Sequence, residues 1–269
     1  MANDDILYQI DNHLATITIN RPKVLNACTG DNFDDIEQRL IEAGEDPKVG
    51  VIVLTGTGER AFCVGGDVNW EKGEDDDLAV GEDDPSKKFA EHELTLNRTI
   101  LECPKPVIAR VNGYAIGGGN HVAYFCDLTI AAEHSIFGQN GPRVGSPAGG
   151  HLVAHAVNVL GHKRAREMWM LCRKYSAQQA LEWGLVNAVV PMEELDQEVR
   201  KWADEMLVLS PTCLRILKRS FRQQMEPLLQ HTVATTVQEV APNYFETGEQ
   251  LEGATAFLEK RPSDFSKWR

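Results

Sequence analysis

The apolar positions of this chain follow two alternating periods, which predict strands and helices in turn. Short β-branched and aliphatic runs, typical of buried strands, occur at residues 14–19, 50–55, 106–111 and 128–132. Between the first two runs, apolar side chains recur on one helix face at Phe33, Ile36, Leu40 and Ile41, and a second helical pattern covers residues 87–101. Such alternation predicts an α/β fold with a largely parallel sheet.

The last third of the chain has a mostly helical pattern that starts at about Gly161. Leu214, Leu217 and Phe221 share one helix face there, and residues 185–190 are the only strand predicted after Gly161. Residues 71–84 are rich in acidic residues and glycine and have no periodicity, which predicts a mobile surface loop. The alternative is a lid that becomes ordered when a ligand binds.

The charge balance limits the partners of this protein. The chain of 269 residues has 27 basic and 40 acidic side chains and a net charge of -13. Phosphate backbones and anionic membranes are bound by clustered Lys and Arg, so we expect neither nucleic acid nor membrane as a partner. A few basic side chains could still bind a phosphorylated cofactor.

The cysteines predict free thiols in a reducing compartment. All six are scattered without C-x-x-C pairs, at positions 28, 63, 103, 126, 172 and 213. We therefore expect free buried thiols, no disulfide framework and no metal site. The first residues lack a basic patch followed by an apolar stretch, and no apolar run reaches the length of a membrane span. These features predict a cytoplasmic protein.

A glycine triplet at residues 117–119 is the most informative chemical feature. It lies at the start of an apolar segment and offers backbone N–H groups to a developing negative charge. Three further motifs accompany it: N-R-P-K-V-L-N-A at 20–27, E-R-A-F-C-V-G-G-D-V at 59–68 and A-L-E-W-G-L-V-N-A-V-V-P at 180–191. With K-P-V-I-A-R-V-N-G-Y-A-I-G-G-G at 105–119, the chain resembles the crotonase (enoyl-CoA hydratase/isomerase) superfamily.

This resemblance implies a fold and an assembly. The fold is the crotonase spiral of ββα repeats, which we assign to residues 1–200, with the acyl-CoA site within it. Residues 201–269 would form a C-terminal helical region that mediates trimerisation. Homotrimers are expected, often paired as homohexamers.

The resemblance also implies a substrate and a set of binding residues. Superfamily members bind acyl-CoA thioesters, and two backbone N–H groups hold the thioester oxygen while an enolate forms; the matching positions are Gly66 and Gly118. Coenzyme A enters as part of the substrate, and no tightly bound cofactor or metal is implied. The CoA-binding positions that we expect are Arg21, Lys23, Gly65, Asp67, Lys260 and Arg261.

Two substitutions separate this chain from the family's hydratases. Those enzymes add water with two glutamates, and the matching positions here are His121 and Gly141. The finer resemblance is to 2-ketocyclohexanecarboxyl-CoA hydrolase and dihydroxynaphthoyl-CoA synthase, which handle rings. In the synthases, bicarbonate replaces a glutamate and is held at positions that match Gln139, Gly141 and Trp169.

Further departures concern proton transfer. An aspartate of the ring-handling enzymes falls at Ala148, which cannot move a proton. A synthase tyrosine falls at Phe245, and we expect the adjacent Tyr244 to bind substrate in its place. Histidine is then the expected proton carrier, because its pKa suits catalysis near neutral pH. His121 is the first choice, and His151 and His155 are the second. Ser146 would either hydrogen-bond a ring carbonyl or cap a helix.

These features predict an acyl-CoA ring hydrolase that cleaves a C–C bond of a cyclic 2-oxoacyl-CoA by a reverse Claisen reaction. One alternative is an enoyl-CoA hydratase or lyase of an unusual substrate that uses His121. The other alternative, a non-catalytic acyl-CoA-binding homologue, follows from the absence of both glutamates and the aspartate.

Overall fold

The computed structural model describes residues 4–68 and 95–269, and strands in these two stretches form two sheets. The larger sheet has the order β1-β2-β3-β5-β7-β10, and the smaller has the order β4-β6-β8-β9. Pairing is parallel except between β1 and β2 and between β8 and β9. The strands are β1 (Ile6–Asp11), β2 (Leu14–Ile19), β3 (Val51–Gly56), β4 (Ala61–Cys63), β5 (Val107–Val111), β6 (Tyr114–Ile116), β7 (Leu128–Ala132), β8 (Ile136–Gly138), β9 (Lys174–Ser176) and β10 (Ala188–Val190).

Helices connect the strands and make up most of the last third of the chain. In the described stretches they are α1 (Gly30–Glu45), α2 (95–102), α3 (Gly118–Phe125), α4 (Gly141–Val144), α5 (Gly150–Leu160), α6 (His162–Leu171), α7 (Ala177–Glu182), α8 (Leu195–Leu207), α9 (Pro211–Met225), α10 (Val233–Val240) and α11 (Glu249–Leu258). The repeated strand and helix units confirm the predicted α/β crotonase fold.

Helix α1 shows how the local sequence sets an element. Thr29 and Asn32 form a reciprocal cap, in which each side chain accepts a hydrogen bond from the backbone N–H of the other residue. Phe33, Ile36 and Leu40 are buried as predicted, but Ile41 is 41% exposed. Ile41 lies about 100° around the helix from Leu40, beyond the edge of the buried stripe.

The predicted long strands are confirmed as β2, β3, β5 and β7, with ends that differ by at most one residue. The prediction of one strand after Gly161 is wrong, because β9 precedes β10. Like the other members of the small sheet, β9 has only three residues, too few to show a period of two. Of the helix predicted at 87–101, the described part is helical, and the acidic segment 71–84 lies outside the described residues.

Both faces of the larger sheet are covered. Ile52 and Leu54 of β3 belong to the main core, whereas Val51 and Val53 pack in a second core with α8. A parallel sheet covered on both faces explains why these strands are continuous apolar runs rather than alternating ones. Helix α8 runs through residue 200, so the division of the chain at that residue stays a prediction.

Helix α9 buries two cationic side chains and exposes several apolar ones. Lys218 donates to the Ile100 carbonyl and pairs with Asp127 at 2.6 Å, and these contacts hold the helix against the core. On the flank of the helix beside Lys218, Leu217 is 51% exposed and Phe221 is 64% exposed. The periodicity that predicted this helix therefore marks an outward-facing apolar stripe.

The thiols are free, as predicted, but not all are buried. Cys28, Cys63, Cys103 and Cys126 are buried, whereas Cys172 is half-buried and Cys213 is exposed. The last two lie at the end of α6 and in the first turn of α9, where side chains face outward. Among the described helices, none combines the length and apolar character needed to cross a membrane.

Candidate active site

Two glycine-containing turns approach each other at the ends of β4 and β6. Strand β4 leads into Gly65 and Gly66, and β6 leads through Gly117 into Gly118, the first residue of α3. A Cβ placed on Gly118 would lie 3.2 Å from the Gly65 Cα and 3.9 Å from the Gly66 nitrogen. The backbone nitrogens of Gly66 and Gly118 are thus neighbours, as two donors to one oxyanion must be.

The glycine triplet is required by this close approach. Gly117 has φ of +57°, a conformation that disfavours any residue with a Cβ. A Cβ on Gly119 would lie 2.0 Å from the Cys63 carbonyl oxygen, so only glycine lets α3 pack against β4. Close packing and the expected contact with an oxyanion therefore both favour glycine in this turn.

A cavity of about 1240 Å³ opens on these two turns. Its wall includes Gly66, Gly118, His121, Gln139 and Trp169, so the predicted oxyanion and acid-base positions share one space. A cavity of this size is large enough for a drug-sized ligand. No cluster of metal-ligating side chains occurs among the described residues.

His121 is held by two of the predicted substrate-binding residues. It lies one turn into α3, is 4% exposed, and its Nε2 lies 3.0 Å from Gln139 Oε1. The indole ring of Trp169 stacks on the imidazole with ring centres 5.3 Å apart. Hydrogen bonding and stacking together fix the imidazole ring at the cavity wall.

Two buried donors beside His121 remain unused. None of the described residues accepts a hydrogen bond from Gln139 Nε2 or from Trp169 Nε1. Leaving a buried donor unsatisfied costs about 1–3 kcal/mol, so such groups usually mark a place for an acceptor. The donors suit a small acceptor such as a carboxylate or a bicarbonate ion.

The backbone around Gly141 explains why no glutamate can occupy that position. A Cβ on Gly141 would lie 2.7 Å from the carbonyl oxygen of Ser146, and the Ser146 N–H donates to the Gly141 carbonyl at 3.0 Å. Gly141, Ser146 and Ala148 all line the cavity. The tight turn places the Ser146 residue, rather than an acid, at this part of the wall.

His151 and His155 lie behind the cavity wall. His151 is fully buried in α5, and its Nδ1 lies 3.3 Å from the carbonyl oxygen of His231. The His155 Nε2 contacts the Tyr124 carbonyl at 3.1 Å, and burial lowers the pKa of His155 to about 4. Neither residue lines the cavity, because α5 packs them against the aromatic residues of α3.

Tyr244 is a tether and not part of the cavity wall. Its hydroxyl donates to the Gly145 carbonyl at 2.6 Å, which attaches the C-terminal region to the turn before Ser146. Burial, and secondarily Glu249, raises the pKa of Tyr244 to about 12. The side chain therefore positions the turn and does not itself reach the cavity.

The cations expected to meet CoA divide into two groups. Lys23 and Lys260 line the cavity, as do Gly65 and Asp67. Arg21 instead pairs with Asp5 at 3.3 Å and with Asp67 at 3.2 Å and does not line the cavity. Arg261 pairs with Glu252 and Glu259, both at 2.7 Å, and likewise lies outside it. Nearby carboxylates explain why these two arginines are engaged elsewhere.

Sequence reasoning missed four cations of the cavity wall. These are Arg60, Arg143, Arg173 and Lys174. Arg60 lies inside the motif at 59–68, which carries the resemblance and was the available signal. The other three lie in G-P-R-V-G-S at 141–146 and L-C-R-K-Y-S at 171–176. The cavity is therefore more basic than the acidic chain as a whole suggests.

Comparisons with known proteins agree with this fold. The family model for enoyl-CoA hydratase/isomerase matches residues 9–268. The chain therefore belongs to the enoyl-CoA hydratase/isomerase family, within the crotonase superfamily, and is an acyl-CoA-processing enzyme of that group.

Solved structures similar to this chain carry more than one activity in their names. An enoyl-CoA hydratase from Mycobacterium avium subsp. paratuberculosis K-10 is 27% identical, with 97% of this chain and 98% of that chain covered and a TM-score of 0.81. A probable enoyl-CoA hydratase from Mycobacterium thermoresistibile is 31% identical over 83% of this chain and 89% of that one, with a TM-score of 0.73. A methylmalonyl-CoA decarboxylase bound to 2-nitronate-propionyl-CoA is 26% identical over 97% of both chains, with a TM-score of 0.80.

Proposed function

We propose that this protein is an acyl-CoA ring hydrolase that opens a cyclic 2-oxoacyl-CoA by a reverse Claisen reaction. The supporting observation is the pair of unused donors on Gln139 and Trp169, which lie beside His121 in the cavity that contains the Gly66 and Gly118 nitrogens. The Gly66 and Gly118 nitrogens thus suit a thioester enolate, and the donors beside His121 suit a base and an anionic group. The product would be a dicarboxylic acid esterified to CoA at one end.

The chemistry begins at the ring ketone. His121 accepts a proton from water while the water oxygen bonds to the ketone carbon, and the C=O π electrons move to the ketone oxygen. Ser146 polarises that oxygen. When the new alkoxide collapses to a carboxylic acid, the bond from this carbon to the α carbon of the thioester breaks. The released electron pair forms the thioester enolate.

The enolate is then stabilised and quenched. The Gly66 and Gly118 N–H groups donate to its oxygen, and donors of this kind contribute about 2.7–4 kcal/mol each. The imidazolium of His121 returns a proton to the α carbon, which restores the histidine. Water has been added across the C–C bond, and atoms and charge balance.

Bicarbonate fits the donors beside His121 and deepens this proposal. Bound there, it would supply a carboxylate-like base close to the ketone. Gln139 Nε2 and Trp169 Nε1 would hold it, and it would take the proton from water in place of His121. We infer that Gly141 allows such an ion to be used, because a glutamate side chain is excluded by the Ser146 carbonyl.

The decisive experiment supplies the purified chain with two substrates in separate reactions. A 2-oxocycloalkane-carbonyl-CoA should gain the mass of one water and yield a free carboxylate, whereas a linear enoyl-CoA should be unchanged. Both reactions are repeated in bicarbonate-depleted buffer and after bicarbonate is added back. Ring opening that needs bicarbonate supports the full proposal, and full activity without bicarbonate removes the ion from it.

A hydratase or lyase that uses His121 is the second candidate, favoured by the names of the similar hydratase structures. Hydration of the enoyl-CoA without opening of the cyclic substrate would replace our proposal with this one. Tight binding of both CoA esters with no turnover in a broad panel would instead indicate a non-catalytic acyl-CoA binder. Product masses distinguish all three outcomes.

Coenzyme A itself would lie along the basic part of the wall. We propose that Lys23 and Lys260 bind its phosphates, together with Arg60, because these cations line the same cavity. Replacing Lys23 or Lys260 with alanine should raise KM and leave kcat nearly unchanged. An equal fall in kcat and kcat/KM would contradict this assignment.

We also propose that the chain assembles as a homotrimer or homohexamer. Helix α9 carries exposed Ile216, Leu217 and Phe221, and α11 carries exposed Leu251 and Phe257. Clusters of exposed apolar side chains are typical of an interface between subunits. Light scattering after size-exclusion chromatography should give a multiple of three chains for the unmodified protein and a smaller species for Phe221→Glu.

A further inference from the structure

Two buried cysteines from separate segments meet behind the oxyanion turn. Cys63 ends β4, Cys28 precedes α1, and their Sγ atoms lie 4.0 Å apart. Both thiols are free, and both side chains are essentially buried. A pair of thiols at this distance is the minimal arrangement for reversible disulfide chemistry.

The same two residues hold the turn that carries the Gly66 N–H. The Gly65 N–H donates to Cys63 Sγ at 3.3 Å, and the Cys28 N–H donates to the Gly65 carbonyl at 2.9 Å. The Asp67 N–H donates to the Cys28 carbonyl at 2.8 Å. Any movement of Cys63 or Cys28 is therefore transmitted directly to the turn between them.

We propose that Cys28 and Cys63 form an oxidation-sensitive dithiol site. Peroxide converts the two thiols to a disulfide, and catalysis is slower while the disulfide is present. The site rests on the proposed function only in that Gly66 is taken as an oxyanion donor. Formation of the disulfide itself does not depend on that function.

The surroundings of the two sulfur atoms assign them different roles. The hydrogen bond with Cys28, together with the Gly65 N–H, lowers the pKa of Cys63. The same hydrogen bond and burial raise the pKa of Cys28. The thiolate is the reactive form of cysteine, so Cys63 is the attacking sulfur and Cys28 the resolving one. Burial instead raises the pKa of Cys126 and of Cys103, which have no such role here.

The oxidation is balanced by one molecule of hydrogen peroxide. The Cys63 thiolate attacks one peroxide oxygen, the O–O bond breaks, and hydroxide leaves, which gives a sulfenic acid at Cys63. The Cys28 sulfur then attacks the Cys63 sulfur, the S–O bond breaks, and the departing hydroxide takes up the Cys28 proton. Two thiols lose two hydrogen atoms, and the peroxide becomes two molecules of water.

The disulfide changes the geometry of the oxyanion turn. A disulfide S–S bond is about 2.05 Å long, so the sulfur atoms must approach by about 2 Å. This draws Cys63 Sγ away from the Gly65 N–H and pulls Cys28 against the turn. Oxyanion donors act only when they point at the developing charge, so a displaced turn weakens catalysis. Val64 and Gly65, the two residues after Cys63, line the cavity, and we expect peroxide to approach the pair from that side.

The test treats the full chain with hydrogen peroxide, alkylates the remaining thiols and analyses the peptides by mass spectrometry. We expect a Cys28–Cys63 cross-linked peptide that lacks two hydrogen atoms. With the substrate that the enzyme turns over, kcat should fall at least about tenfold and recover with dithiothreitol. The proposal is overturned if no cross-link forms, or if it forms and kcat does not change.

Matched variants separate this site from general oxidative damage. Cys28→Ser and Cys28→Ala remove the resolving sulfur, so Cys63 should accumulate as a sulfenic acid that dimedone traps and no cross-link should appear. Cys126→Ala removes a buried thiol outside the pair and should leave the cross-link and the loss of activity as in the unmodified chain. Because the cross-link is scored by mass, a failure of the proposed ring hydrolysis does not conceal a failure of this site.

Discussion

The two walls of the cavity are built in different ways. The wall that we propose as the oxyanion hole, the oxyanion wall, consists of the backbone nitrogens of Gly66 and Gly118, whose positions follow from how closely β4 and α3 pack. A second wall, the side-chain wall, consists of His121 with Gln139 and Trp169. The first wall can change only if the fold changes, whereas the second changes with a single substitution.

This difference explains why one fold accepts several reactions. In our proposal, the backbone stabilises a thioester enolate, and any reaction that passes through such an anion can use this stabilisation. The choice between adding water to a double bond, losing carbon dioxide and opening a ring depends on which side chains form the side-chain wall. We therefore infer the thioester enolate from the fold, and the reaction that this enolate undergoes from the side-chain wall.

The oxyanion wall is tested most severely by removing its donor. Gly118→Pro deletes the N–H at the first position of α3, where no helical hydrogen bond is lost and proline is tolerated. We expect kcat to fall on the order of a thousandfold, and circular dichroism checks that the variant is folded.

Gly118→Ala is the matched control, because it keeps the N–H and adds only a Cβ at 3.2 Å from the Gly65 Cα. It should lose much less activity than the proline variant. If both variants lose the same activity, close packing rather than the donor is what matters at this position.

The side-chain wall is tested by His121→Gln. Glutamine retains polarity and size but cannot accept and return a proton near neutral pH, so kcat should fall at least about a hundredfold with KM nearly unchanged. His162→Gln, an exposed histidine at the start of α6, is the control and should behave as the unmodified enzyme. Steady-state kinetics with the ring substrate distinguish the two, and an active His121→Gln enzyme would assign the proton transfer elsewhere.

The sequence predicted the first wall better than the second. Gly119 has no room for a Cβ beside Cys63, and Gly117 has a positive φ, so the glycine motif and the close approach of the two turns have the same cause. Helix α9 shows the opposite case, since its apolar stripe predicted a helix but not that the stripe faces outward. Periodicity reports which residues share a face and not what that face packs against.

Proton carriers were harder to predict, because a histidine's neighbours come from distant segments. The sequence ranked His121 above His151 and His155 only through the resemblance. The structure adds that α5 packs His151 and His155 against Phe125, away from the cavity. Arg21 shows the same limit: its role depends on Asp5 and Asp67, which no local motif connects to it. Spacing along the chain does not contain this information.

The buried histidine behind the cavity should make stability depend on pH. The pKa of His155 is lowered from 6.5 to about 4, so between these values the unfolded chain binds more protons than the folded one. Stability is complete above pH 6.5 and should fall on the order of 3 kcal/mol as the pH falls to 4. Urea unfolding at several pH values measures this slope.

His155→Phe separates this contribution from other titrating groups. Phenylalanine keeps the aromatic packing against Phe125 and cannot be protonated, so the pH slope between 6.5 and 4 should flatten relative to the unmodified chain. An unchanged slope would show that His155 is not the group responsible. Activity near neutral pH should be little affected, because His155 does not line the cavity.

The variant with the smallest expected effect is the most specific test of the side-chain wall. Trp169→Phe keeps a ring to stack on His121 and removes only the buried Nε1 donor. If that donor holds a bicarbonate ion, the bicarbonate concentration needed for half-maximal activity should rise roughly tenfold, the value of one hydrogen bond to a charged group. Activity at saturating bicarbonate should remain near that of the unmodified enzyme. A fall in activity that bicarbonate does not reverse would instead mean that Trp169 contacts the substrate or positions His121. In that case the side-chain wall, like the oxyanion wall, would work without an added ion.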